Sequence, residues 1–140
     1  MKRAPSIAII DDDLLVRDDL RRLMTSLDYS AETFSSMDEF LASDSPADVG
    51  CVISDVQIPG NDAMHLRKRL FAIGCKAPIV FITALLSRQL EKELVRTGAI
   101  CVLAKPFNQR QLLHYIASAL ALREAEASSD CAAQSGCGTT

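Results

Sequence analysis

Four apolar runs of strand length each stop abruptly at polar residues, and that repeated arrangement constrains the fold more than any other feature of this chain. Ile7 to Ile10 meets Asp11, Asp12 and Asp13; Val49 to Val56 carries Asp55 at its end; Pro78 to Thr83 closes on Thr83; Ile100 to Ala104 runs into Lys105-Pro106. Between these runs the apolar residues take helical spacing. Leu15, Leu20, Leu23, Met24 and Leu27 recur three or four residues apart with Arg17, Asp18, Arg21 and Arg22 among them, which is an amphipathic helix. A weaker strand, Ala31 to Phe34, is followed by Ser36 with Glu39 three residues on, a capping box that opens a short helix. Pro59-Gly60-Asn61-Asp62 forms a loop before a helix carrying Met64, Leu66 and Leu70. Ser87 to Thr97 reads as a helix ended by Gly98, and Asn108 with Gln111 caps another that carries Leu112, Leu113, Ile116 and Leu120. Strand and helix therefore alternate throughout, the pattern of a parallel sheet covered by helices. Continuous apolar strands such as Ile79-Val80-Phe81-Ile82 are what burial on both faces requires. The expected fold is α/β, a doubly wound five-stranded parallel sheet flanked by five helices.

Length leaves room for one such domain and no second: the chain has 140 residues. Residues 1–123 account for the alternating pattern. Residues 124–140 lack Leu, Ile, Val, Phe and Met and are expected to form a disordered polar tail after a fraying helix end. The formal net charge of −3 and the small complement of five Phe, two Tyr and no Trp argue against direct nucleic-acid binding by this domain. The first apolar run breaks at Asp11, too early for a signal peptide or a membrane span. Cys51, Cys75 and Cys101 sit in or beside apolar segments and read as small hydrophobes, while Cys131 and Cys137 fall in the tail; no CxxC pair exists. A cytoplasmic, reduced protein is expected.

In an open parallel sheet, ligands bind in the crevice beyond the carboxyl ends of the strands. The polar tips belong there. Taken singly, each has a plain structural role: an acid capping a helix, a turn aspartate, a strand-end hydroxyl, a solvated lysine. Together they differ, because carboxylates converging at one rim repel one another and leave a site that favours a cation. Hard oxygen ligands with open positions suit Mg²⁺, and a carboxylate beside Mg²⁺, a lysine and a hydroxyl supplies the parts for phosphoryl transfer.

Strand-Asp11-Asp12, strand-Asp55-Val-Gln-Ile-Pro59, strand-Thr83-Ala84 and strand-Lys105-Pro106-Phe107 resemble the receiver domain of two-component response regulators over Ser6 to Leu122, in order and spacing. The resemblance implies a flavodoxin-like fold and a phosphorelay role. It makes Asp55 the phosphoacceptor, with Asp11, Asp12, Asp55 and the backbone carbonyl of Gln57 as Mg²⁺ ligands, and Lys105 and Thr83 as partners of the phosphoryl oxygens. Asp13 stays a helix-start acid. The bond from Lys105 to Pro106 is expected to be cis. The implied partners are a sensor histidine kinase or a histidine phosphotransfer protein and a downstream protein, reached through a phosphorylation-dependent surface around the fourth helix and fifth strand. A homodimer, where one forms, would use the last helices and strand. Such a domain catalyses its own phosphorylation and dephosphorylation rather than turning over other substrates.

The chain departs from the family pattern at several places. Val102 occupies the position, three before the lysine, that usually holds an aromatic residue, so an output surface that does not use an aromatic switch is expected. Ala63 replaces the usual Gly, with Gly60 directly after Pro59. Leu85 and Leu86 read first as core, second as a docking patch. His65 and His114 read as solvated helix positions, as do Arg21, Arg22, Arg67, Lys68 and Arg69. Two other functional readings stand beside the first: the receiver half of a DNA-binding transcription factor whose effector domain lies outside this chain, and a Mg²⁺-dependent aspartate-nucleophile phosphatase. The second would use Asp11-x-Asp13.

Overall fold

The computed structural model describes residues 6–43, 49–56, 65–105 and 107–132. Strands β1 (Ser6–Ile10), β2 (Ser30–Phe34), β3 (Cys51–Asp55), β4 (Ile79–Thr83) and β5 (Cys101–Ala104) alternate with helices α1 (Leu14–Ser26), α2 (Met37–Leu41), α3 (Leu66–Ala72), α4 (Arg88–Arg96) and α5 (Gln109–Ala132). All four strand pairings are parallel and the spatial order is β2-β1-β3-β4-β5. The expected doubly wound sheet with five helices is the observed one.

Side chains alternate across the sheet, so each strand feeds two cores. Ala8, Ile10, Val52, Ile79, Phe81 and Val102 face one side, where Phe40, Leu66, Leu70 and Leu94 of α2, α3 and α4 cover them. Ile7, Ile9, Ile53, Val80, Ile82 and Leu103 face the other, under Leu20 and Met24 of α1 and Leu112, Ile116 and Ala119 of α5. β3 and β4 are buried at every residue, which explains why their sequences are apolar without alternation.

Local signals set the helix boundaries. The Ser36 hydroxyl accepts from Glu39 N–H at 3.1 Å while Glu39 Oε1 accepts from Ser35 N–H at 2.7 Å. Ser87 Oγ accepts from Leu90 N–H, and Asn108 Oδ1 from Gln111 N–H. Gly98 ends α4 with φ of +106°, a conformation that L side chains rarely adopt.

Helix α5 runs from Gln109 to Ala132, so its backbone continues past residue 123. Leu122-Arg-Glu-Ala-Glu-Ala is built from strong helix formers, so propensity carries the helix on where apolar residues end. Leu85 is 70% exposed and Leu86 37%, so neither is a core residue: both follow the end of β4, past the rim that the helices cover. His65 is exposed and stands at the residue before α3, where its side chain makes no capping hydrogen bond. Arg69 is exposed, as a solvated helix position is, and pairs with Asp38 of α2 at 2.8 Å, whereas Arg67 is half-buried, donates to the Ala77 carbonyl at 2.8 Å and lies over the Phe71 ring. These two arginines tie α3 to its surroundings. Gln57, Pro59, Gly60, Ala63, Pro106 and Cys137, and the side chain of Cys131, lie outside the described residues.

Cys51 and Cys75 are buried, as small hydrophobes are. Burial pushes the Cys51 thiol up to about 12, with a smaller push from Cys101. Cys101 also rises to about 12, from burial first and then Glu91. Both therefore stay protonated and unreactive. Among the described residues no helix is long and apolar enough to cross a membrane.

Candidate functional site

The strand order reverses direction between β1 and β3, and a doubly wound sheet opens a crevice at that point beyond the strand ends. Asp11 follows β1 and Asp55 ends β3, so the two acids flank the crevice. The sheet ladder also reaches one residue past the strands: Asp11 N–H donates to Phe34 O at 3.0 Å and Lys105 N–H to Thr83 O at 2.8 Å. Each functional side chain thus leaves from backbone that is held by its neighbour.

The acids and the lysine meet. Lys105 Nζ lies 2.6 Å from Asp55 Oδ2 and 3.0 Å from Asp11 Oδ2. The carboxylates of Asp11, Asp12 and Asp55 each offer an oxygen within 4.8 Å of the others. Asp11 and Asp55 are buried and Asp12 is exposed, so the cluster opens to solvent on one side. Asp13 turns away instead: its Oδ1 accepts from Leu15 N–H at 2.9 Å and caps α1. The Asp11-x-Asp13 pair that a phosphatase of the aspartate-nucleophile kind would need is therefore split between two tasks.

Electrostatics follow from this crowding. Burial, reinforced by the neighbouring Asp55 charge, raises the Asp11 carboxyl above its ordinary 3.8, against the opposing hydrogen bonds from the Asp13 backbone and Lys105. Burial alone would lower Lys105, but hydrogen bonds and charge from Asp55 and Asp11 outweigh it and hold the ammonium above 10.5. A single lysine faces two buried acids, so negative charge remains in excess. Three carboxylates with open space beside them fit a hard divalent cation such as Mg²⁺, which takes a few carboxylate oxygens and keeps other positions for water or substrate.

Thr83 is fully buried, and its Oγ1 accepts from Leu85 N–H at 3.1 Å. That bond links the strand end to the loop carrying the exposed leucines. Val102 is also buried, directly opposite Phe81 in the register of β4 and β5 and packed in the same core.

Residues 7–117 match the family model of the response regulator receiver domain. The chain belongs to the receiver domain family. It is 34% identical over 119 residues to the transcriptional regulatory protein TdiR of Thauera aromatica, covering 85% of this chain and 52% of TdiR. It is 36% identical over 128 residues to FixJ of Bradyrhizobium diazoefficiens, covering 91% of this chain and 62% of FixJ. This receiver chain therefore spans only about half to two thirds of these relatives. Among solved structures, the response regulator StyR superposes with a TM-score of 0.80 at 34% identity, covering 99% of this chain and 72% of StyR. A response regulator receiver protein from Burkholderia phymatum superposes at 0.71 with 33% identity, over 84% of this receiver and 95% of that chain.

One residue at the site escaped the sequence reading. Arg17 of α1 donates from Nη1 to the carbonyl of Asp11 at 2.6 Å. In sequence it is one more polar residue on an amphipathic helix; its place one turn after the Asp13 cap is the signal that turns it back toward the rim.

Proposed function

We propose that this receiver accepts a phosphoryl group on Asp55 with Mg²⁺ and signals through a protein-interaction surface that responds to it. The observation that carries this reading is the ion pair from Lys105 to Asp55 inside the three-carboxylate cluster. One oxygen of Asp55 attacks the phosphorus of a phosphohistidine on a sensor histidine kinase or a histidine phosphotransfer protein. The P–N bond breaks, the imidazole leaves with the electron pair and takes a proton from solvent, and an acyl phosphate forms. Bound Mg²⁺ would neutralise charge on the transferring group. Asp11, Asp12 and Asp55 would hold it, with the Gln57 carbonyl as a further ligand. Lys105 would follow the charge from the free carboxylate to the phosphoryl oxygens, and Thr83 would donate its hydroxyl to them.

The switch follows from Thr83. Phosphorylation brings close to two negative charges and new acceptor oxygens to a site that held one carboxylate charge. A hydrogen bond to a charged group contributes about 1.5–3 kcal/mol, enough to draw the Thr83 hydroxyl toward the phosphoryl oxygens and lengthen the bond that it accepts from Leu85 N–H. That movement would release the loop carrying Leu85 and Leu86 and re-weight the surface around α4 and β5.

Incubation with Mg²⁺ and acetyl phosphate tests the reading. Wild type should gain one acid-stable, base-labile phosphoryl group, mapped to Asp55 by mass analysis, and Asp55→Asn should gain none; undiminished labelling of the variant would refute the assignment. A second reading, that the domain serves as the phosphorylation-controlled part of a transcriptional regulator, is favoured by relatives that carry that name and are longer than the matched segment.

A further inference from the structure

We propose that Arg17 is a positioning residue for the acidic site: it fixes the peptide between Asp11 and Asp12 and so sets the affinity for a divalent cation. This rests on the reading of the cluster as a Mg²⁺ site. Asp11 is held at each of its polar atoms. Its N–H donates to Phe34 O at 3.0 Å, its Oδ1 accepts from Asp13 N–H at 2.9 Å, its Oδ2 accepts from Lys105 at 3.0 Å, and its carbonyl accepts from Arg17 at 2.6 Å.

Asp12 is different. It is exposed, and among the described residues its side chain makes no hydrogen bond, although it belongs to the three-acid cluster. Its direction is therefore set by the backbone that bears it. That backbone begins with the planar peptide whose oxygen Arg17 grips, so the guanidinium orients the plane from which Asp12 departs. Arg17 is itself anchored, since its own N–H donates to Asp13 O at 3.0 Å as α1 begins. Outer partners of this kind commonly govern how tightly a metal is held.

Positioning and simple electrostatics give opposite signs. A guanidinium at the rim repels an incoming cation, so on charge alone its removal would tighten binding. Its removal as a positioning residue loosens binding, because Asp12 then samples directions away from Asp11 and Asp55.

Calorimetric titration with Mg²⁺ at fixed ionic strength, on wild type, Arg17→Gln, Arg17→Lys and Asp12→Asn, tests this. In parallel the ¹⁵N shift of the Asp12 amide, which shares its peptide with the Asp11 carbonyl, is measured without metal. For Arg17→Gln the dissociation constant should rise about tenfold, the Asp12 amide should shift, and Arg17→Lys should recover part of both. Unchanged or tighter binding in Arg17→Gln would overturn the proposal while leaving the Mg²⁺ site standing. Should Arg17→Gln not fold, Arg17→Lys decides: a displaced Asp12 amide with wild-type affinity overturns the proposal, and a displaced amide with weakened affinity supports it. Wild type that binds no Mg²⁺, or binds it as Asp12→Asn does, would remove the reading of the site and this proposal with it.

Discussion

Lys105 Nζ and Asp55 Oδ2 stand 2.6 Å apart although their strands are not neighbours, since β4 lies between β3 and β5. The lysine side chain reaches over the end of β4 to both acids, so it spans the crevice rather than lining one wall. It is 22% exposed, against 7% for the Asp55 side chain and none for that of Asp11.

Lys105→Ala should therefore leave two buried carboxylates without their cation. Breaking such a pair from one side commonly destabilises by about 3–5 kcal/mol. Urea unfolding without metal should show a loss of that order, and added Mg²⁺ should stabilise the variant more than it stabilises wild type, because the cation takes over the lost charge. Equal gains from Mg²⁺ in the two proteins would contradict the shared-site picture.

From the direction of the Asp11 shift, binding of the proposed cation is expected to be pH-sensitive. Its folded value lies above 3.8, so its proton returns while an ordinary carboxylate is still ionised. Mg²⁺ affinity should fall as pH drops through that raised value. For the metal-free fold the sign is reversed: the buried Asp11 charge weakens the fold above its raised value, and the penalty is relieved as pH falls toward 3.8. Lys105, held above 10.5, contributes stability that is complete below 10.5 and lost as pH rises through its raised value. Titrations with Mg²⁺ from neutral pH downward, and thermal melts at alkaline pH, check the two limbs.

Thr83→Val removes the hydroxyl and keeps the shape. Leu85 N–H then loses its acceptor, at a cost of about 1 kcal/mol given that the loop can recruit water. The larger effect should be on the switch. Beryllofluoride with Mg²⁺ should shift the amides of Leu85 and Leu86 in wild type and in Thr83→Ser, and leave them nearly unmoved in Thr83→Val; comparable shifts in all three proteins would exclude Thr83 as the relay.

Val102 should stay where it is. It is buried in the core beneath α4 and its branched side chain has one preferred rotamer to lose. Its methyl resonances should keep their rotamer signature on addition of beryllofluoride, and an inward swing would sink the expectation that this receiver's output works without an aromatic switch.

Most of the fold was legible because the local physics of this chain agrees with its tertiary structure. Buried parallel strands need unbroken apolar runs, and Ile7 to Ile10, Cys51 to Ile53 and Ile79 to Ile82 supply them. Caps need side-chain acceptors at one place, and Asp13, Ser36, Ser87 and Asn108 stand there. Helix propensity and hydrophobic pattern part company along α5, whose backbone runs to Ala132 through Arg123-Glu-Ala-Glu-Ala, residues of high helix propensity beyond the last leucine of the pattern.

For the site, the sequence by itself determined which residue types sit at the strand ends, and the order of the strands along the chain. Only the tertiary structure decided which of those ends meet. Asp11 and Asp12 are separated from Asp55 by a helix-strand-helix excursion, and they come within 4.8 Å because β3 docks beside β1 at the point where the strand order reverses. Three consecutive aspartates are chemically alike as a string; the direction of the chain as β1 gives way to α1 sends the first two into the three-carboxylate cluster and the third to cap the helix. The exposure of Leu85 and the grip of Arg17 on a backbone carbonyl have the same origin. Both depend on where the strand rim ends and the helix starts in space, and the place of Arg17 one turn after Asp13 is the one hint of it that spacing carries.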